Sequence, residues 1–190
     1  MDQAMNKDQA MNKDQAMNIY KILHDEHVLV LATVEKLHNV RVDGRKRLLD
    51  QVIDDLTSHS QAEEQVLYDR VAEADVLKEL VLEAKEEHQM VTRLLEDLYG
   101  MRVEDERFAP KVKVLGELLK HHIEEEESEM FPKAQEMFDD VIAQNFAGEF
   151  VAAKAKILKM PQLLRLGQAR MKKVVEDVAH AIRPEGDNAR

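Results

Sequence analysis

Cysteine and tryptophan are absent from this 190-residue chain, and glycine (6) and proline (4) are scarce. Without cysteine the chain can supply no disulfide, thiolate ligand or iron–sulfur ligation, so any metal must rest on histidine, aspartate and glutamate. With so few glycines and prolines little interrupts helices, and the abundance of Leu, Val, Ala, Glu and Lys favours them. The formal net charge is -11, with no concentrated Lys/Arg stripe to neutralise phosphates, which argues against nucleic acid as a partner. No apolar run is long enough to span a bilayer, and the N-terminus lacks the apolar middle of a signal peptide. A soluble, cytoplasmic protein without a membrane partner is expected, its length suiting one domain with a substantial core.

Residues 1–18 repeat a six-residue unit, MNKDQA, too polar to bury anything; they read as a flexible leader or an appended segment outside the fold. The rest divides into periodic apolar segments separated by turn-like breaks. Helices are expected over 19–39, 45–72, 76–100 and 110–130, followed by one over 134–159 entered near Asp139-Asp140 and an amphipathic stretch from Pro161 to Ile182. Val42-Asp43-Gly44 is the first expected turn, Ala72 to Asp75 the second and Met101 to Ala109 the third. Pro110 suits a first helical turn, whereas Pro132 is expected to end or bend the fourth helix. The fold class that follows is all-α: an antiparallel up-down four-helix bundle over 19–159, with additional C-terminal helices and a polar tail in 160–190.

What is present in the apolar seams carries the chemistry. Stripes at steps of three or four residues run Leu23, His27, Val30, Val34, Leu37 on the first helix and Leu49, Val52, Leu56, His59, Glu63, Val66 on the second. The third gives Val81, Ala84, His88, Val91, Leu95, Leu98, and the fourth Val112, Leu115, Leu119, His122, Glu126, Met130. Residues at this spacing share the face turned towards the bundle axis, so His27, His59, Glu63, His88, His122 and Glu126 occupy core positions. His59/Glu63 and His122/Glu126 each set an imidazole and a carboxylate side by side.

Residues level with one another in a helical hairpin lie about equally far from its turn. The midpoint of His27 and His59 falls on Asp43, and that of His88 and His122 on Asp105, both in expected turns. The separations His27 to His88 (61 residues) and His59 to His122 (63 residues) mark two copies of one hairpin and a pseudo-twofold site. Two carboxylates buried among Leu and Val would cost several kcal/mol per unpaired ion. No Lys or Arg falls on these stripes near the site, so bound metal is the simplest counter-charge. Imidazole plus carboxylate suits iron, manganese or zinc, and a pair of ions bridged by Glu63 and Glu126 would balance the charge.

These segments resemble the hemerythrin-like HHE cation-binding domains. The resemblance covers roughly 19–159 and is carried by Ile22-Leu23-His24-Asp25-Glu26-His27, by His59 to Glu64 with Leu67-Tyr68, by Glu86-Glu87-His88, and by His122 to Glu127 with Met130-Phe131-Pro132. It implies a non-haem di-iron centre in a four-helix bundle, able to bind dioxygen, nitric oxide or another small ligand. The metal ligands it implies are His27, His59, Glu63, His88, His122 and Glu126. Oxygen-carrying hemerythrins add a fifth imidazole one turn from the third-helix histidine and use His-x4-Asp on the fourth helix. Here the positions flanking His88 are Ala84 and Thr92, and the fourth helix has His-x3-Glu.

Other residues have plainer readings. His24 and His121 are expected as outer groups or surface residues, each a substitute fifth imidazole only if it turned inward, while Glu64 or Glu127 is either an additional site-facing group or, as expected, an edge residue. Asp25/Glu26 and Glu86/Glu87 either accept imidazole N–H bonds or solubilise the helices. Tyr68 and Phe131 are expected to pack over the end of the site, and His38 and His180 to lie on the surface. The expected function is that of a di-iron protein that binds, senses or buffers dioxygen, nitric oxide or iron. The alternatives are a di-iron oxidase, peroxidase or iron-centre repair factor, and a structural bundle with zinc or no metal.

Overall fold

A computed structural model describes residues 17–167, and among these there is no strand. Helix α1 spans Ile19–Asn39, its N-terminus capped by the Asn18 side chain, which accepts from the Lys21 N–H at 3.0 Å. Helix α2 spans Val42–Glu63 and continues through a π-helical turn, Glu64–Tyr68, into Asp69–Val71. Helix α3 spans Asp75–Gly100. Helix α4 spans Phe108–Glu125 and likewise continues through a π turn, Glu126–Met130, into Phe131–Met137. Helix α5, Asp140–Ile157, is capped by Asp139, whose side chain accepts from Ile142 N–H at 2.9 Å.

Two boundaries differ from the sequence reading. The first turn lies at Val40-Arg41, and Asp43-Gly44 already belong to α2. A Cβ at Gly44 would come 2.6 Å from Val40 Cγ2, so a larger residue there would force the Val40 side chain to shift. Pro132 neither ends nor breaks α4. It sits in the first turn after the π turn, where the wider backbone loop relieves the clash between its ring and the carbonyl four residues back.

The four long helices alternate in direction, with α1 packed on α2 and α4, α3 on α4 and α2, and α5 laid across α2 and α1. Their seams close into two apolar clusters. One holds Val34, Leu37, Leu49, Ile53, Leu95, Leu98, Phe108 and Leu115. The other holds Leu23, Leu67, Tyr68, Leu77, Val81, Phe131 and, from α5, Phe146 and Phe150. Between them lies a layer of buried polar side chains, so hydrophobic burial on both sides fixes the height at which the helices present those groups. The C-terminal amphipathic stretch proposed to 182 is described only to 167, and the leader 1–16 and His180 lie outside the described residues.

Candidate metal centre

All six seam residues are buried, and the structure brings them to one level: His27 (2% exposed), His59 (8%), Glu63 (0%), His88 (5%), His122 (3%) and Glu126 (1%). The imidazoles meet in pairs. His27 and His59 face each other through Nε2 atoms 3.2 Å apart, and His88 and His122 through Nε2 atoms 3.0 Å apart. Each carboxylate spans both pairs. Glu63 Oε2 lies 3.5 Å from His59 Nε2 and 3.8 Å from His88 Nε2, while Glu126 Oε2 lies 3.4 Å from His27 Nε2 and 3.5 Å from His122 Nε2.

An outer set of four glutamates aims the imidazoles. The Nδ1 atoms of His27, His59, His88 and His122 lie 2.8, 2.9, 3.1 and 2.8 Å from carboxylate oxygens of Glu127, Glu26, Glu64 and Glu87 respectively. An ionised carboxylate only accepts, so each Nδ1 donates outward and each ring turns its Nε2 inward. The outer set obeys the same pseudo-twofold as the inner one, Glu26 matching Glu87 and Glu64 matching Glu127. Glu64 and Glu127 reach their imidazoles from the π turn or its second residue, because the wider turn rotates the carboxylate after Glu63 or Glu126 into the bundle flank. Of the two readings open for Glu26 and Glu87 the structure selects contact with the imidazoles, and it gives Glu64 and Glu127, expected at the edge, the same role.

Two features break the symmetry. The Tyr68 hydroxyl donates to Glu126 Oε1, and its ring stacks on His88 with centroids 5.4 Å apart. Its pseudo-twofold mate, Phe131, stacks on His27 at 6.1 Å but has no hydroxyl. Packing was the expected role of both, and for Tyr68 it is incomplete; a Tyr/Phe mismatch between otherwise matched repeats was the available signal. The second is Lys154 of α5, whose Nζ lies 2.6 Å from Glu26 Oε2, behind His59. No stripe argument over the four bundle helices reaches it. Lys154 also lines a pocket of about 60 Å³ with Glu26, Leu29, Val30, Asp55 and His59, and Phe150 sets its ring edge-on to His59 at 5.8 Å.

The other histidines among the described residues stay out of the centre. His24, exposed, shares Glu127 at 3.0 Å; His121 lies on the surface beside Glu87 and Glu125; His38 contacts Asn39. Ala84 is packed in the core and Thr92 donates its hydroxyl to the His88 carbonyl, so no fifth imidazole enters from α3.

Electrostatics shows what the cluster is short of. Both oxygens of Glu63 and Oε2 of Glu126 are buried without a hydrogen-bond partner. Burial pushes the Glu126 carboxyl up, to about 8, and the neighbouring Glu63 carboxylate adds to the rise. Burial opposes charge on Glu63 too, but His59, with His88 and His27, outweighs it and lowers the carboxyl to about 2. Burial lowers His27 to about 4. At His59 burial is overcome by the Glu26 and Glu63 carboxylates, which raise it to about 9. Desolvation, then the Glu126 and Glu63 charges, hold the Tyr68 phenol well above its ordinary range. Facing Nε2 atoms and two buried carboxylates need protons or cations between them. Two His plus two shared carboxylates on either side fit a pair of first-row ions, with Nε2 and Oε atoms as donors.

The Hemerythrin HHE cation binding domain family matches residues 18–134. The chain belongs to this family. Among curated proteins, this HHE chain is 33% identical over 111 residues to a protein named DNA nickase of Nostoc sp. (strain PCC 7120), covering 56% of the chain and 30% of that protein. It is 28% identical over 114 residues to an uncharacterized hemerythrin-like protein of Schizosaccharomyces pombe, covering 59% of the chain and 56% of that protein. The matches thus span under two thirds of either relative. A solved structure of an HHE cation-binding-domain-containing protein homologue from Mycobacterium kansasii shares the fold, with a TM-score of 0.67 at 20% identity over 80% of this chain and 99% of that one. Family and fold agree with the resemblance read from the sequence, and the His/Glu clusters make this a candidate metal-binding helical protein.

Proposed function

We propose that His27, His59, Glu63, His88, His122 and Glu126 hold two iron ions, with manganese or zinc as chemically admissible substitutes, and that the protein binds, senses or buffers dioxygen, nitric oxide or iron itself. The observation that carries the reading is the trio of buried carboxylate oxygens without hydrogen bonds, of which Glu63 Oε2 and Glu126 Oε2 each face two imidazole Nε2 atoms, in a layer sealed by apolar clusters. A metal pair supplies the counter-charge and coordination positions for a small ligand. The chain's own part is to aim four Nε2 atoms inward through the outer glutamates and to exclude bulk water. The roughly diatomic-sized pocket beside His59 is the proposed approach.

One observation favours a second reading, that of a di-iron oxidase or peroxidase. The Tyr68 hydroxyl holds a proton at Glu126 Oε1, inside the layer, where a reaction consuming protons would need one. No nucleic-acid role is proposed, because a net charge of -11 repels phosphate, and a cytoplasmic location is part of the proposal.

Metal analysis of protein purified without added metal tests the proposal. Two irons per chain with an oxygen- or nitric-oxide-dependent near-ultraviolet or visible charge-transfer band support the first reading. Turnover of peroxide or ferrous iron supports the second, and one zinc or no metal overturns both in favour of a structural bundle.

A further inference from the structure

Outside the six-residue centre, His121 and Glu125 of α4 and Glu87 of α3 bring three donor atoms within 4.8 Å of one another. His121 Nε2 lies 3.5 Å from Glu125 Oε1 and 3.8 Å from Glu87 Oε1. Donors each at about 2.0–2.2 Å from a first-row divalent ion stand about 3–4 Å apart, so these atoms are close to spaced for one. His121 is exposed and Glu125 half-buried, but Glu87 is buried and comes from the neighbouring helix. Its second oxygen, Oε2, is 2.8 Å from His122 Nδ1.

The pseudo-twofold supplies an independent argument. The mate of Glu87 is Glu26, which accepts from His59 as Glu87 accepts from His122. Glu26 has a built-in cation, the Lys154 ammonium at 2.6 Å. The mates of His121 and Glu125 are Ser58 and Ala62, and an alanine offers no donor. Among the described residues the ion pairs of Glu87 are with His121 and His122, although its side chain is more buried than that of Glu26, 9% exposed against 28%. Where one half of the bundle neutralises the outer glutamate with lysine, the other half places a His-x3-Glu pair at the surface.

We propose that Glu87, His121 and Glu125 form a third, accessory site for a first-row divalent cation on the solvent side of His122. The ion takes the place that Lys154 fills in the other half, with three protein ligands and water completing its shell. Open to solvent, it binds more weakly than the central pair and exchanges freely. The inference goes beyond the function proposed above and does not require the central pair to be filled.

The test uses the full chain and Mn2+ alone, counted by equilibrium dialysis with elemental analysis and by electron paramagnetic resonance. The wild type is expected to bind one more ion per chain than the double variant His121→Ala, Glu125→Gln, whose helical circular dichroism stays unchanged because His121 is exposed and glutamine keeps the size of the half-buried Glu125 side chain. Equal counts in the two proteins up to millimolar Mn2+ overturn the proposal. If the central centre is wrong instead, both counts are lower by the same amount and the difference of one remains, which separates the two failures.

Discussion

At Glu126, a single carboxylate meets four demands: burial, the repulsion of Glu63, the imidazoles of His27 and His122, and the hydroxyl of Tyr68. Tyr68→Phe removes one of these without changing shape. It is expected to keep stoichiometric metal but to shift the charge-transfer band and weaken metal affinity by about 10-fold or more, as loss of an outer partner does; a spectrum and affinity identical to wild type would leave the hydroxyl without a role at the centre. His59→Ala combined with His122→Ala withdraws one imidazole from each pair and is expected to abolish stoichiometric metal; two ions retained per chain, by elemental analysis, would refute the ligand set. The six inner residues were legible because helical spacing alone puts them in apolar stripes. Glu26 and Glu87 were legible as possible imidazole partners and Glu64 and Glu127 only as edge residues, since which imidazole each meets depends on the adjacent helix. Lys154 was not legible at all, being 128 residues from Glu26 in sequence.

The elements show how local rules place those residues. The two π turns begin at Glu64 and at Glu126, 62 residues apart, so the same irregularity recurs at nearly the same height in both hairpins. Hydrophobic periodicity cannot reveal them, because one extra residue in a turn merely looks like an i+4 step instead of i+3. Helix α5 depends on its cap. Asp139→Ala is expected to cost about 1 kcal/mol, lowering the thermal midpoint by roughly 2–4 °C, as followed by circular dichroism, and to loosen the Phe150 and Lys154 contacts with His59 and Glu26. In the α3–α4 connection, hydrogen bonds from Arg107 hold the Asp105 carboxyl at about 2, below its ordinary value of 3.8. A depressed carboxyl stabilises the fold above its unfolded value, and the contribution is lost as pH falls towards 2. Arg107→Ala is therefore expected to remove this part of the acid dependence between about pH 4 and pH 2, read as a shallower fall of the thermal midpoint across that interval than in wild type.

For the whole molecule, the polar layer divides the core into two clusters, and the folded metal-free protein keeps mutually repelling groups together between them. A ligand that binds the native state alone stabilises it by about 2.7 kcal/mol at 100 times its dissociation constant, worth roughly 5–10 °C for a domain of this size. Removing metal with a chelator is expected to lower the thermal midpoint by that order in the wild type and hardly at all in the His59→Ala, His122→Ala variant; calorimetry of the four samples checks it. The pseudo-twofold makes the centre nearly symmetric in its donors, and Tyr68 on one side with Lys154 on the other makes its two halves chemically unequal.

By itself the sequence determined the class of fold, the six inward residues, the duplication of the hairpin and the exclusion of cysteine chemistry, because periodicity, spacing and composition are properties of single helices or of the chain as a string. Tertiary structure alone decided which glutamate aims which imidazole, that Tyr68 and not its mate reaches a carboxylate, that Pro132 is accommodated within α4, and that α5 delivers a lysine behind His59. Each of these is a meeting of groups from different helices or a change in backbone pitch, fixed by packing distances that no one-dimensional pattern records.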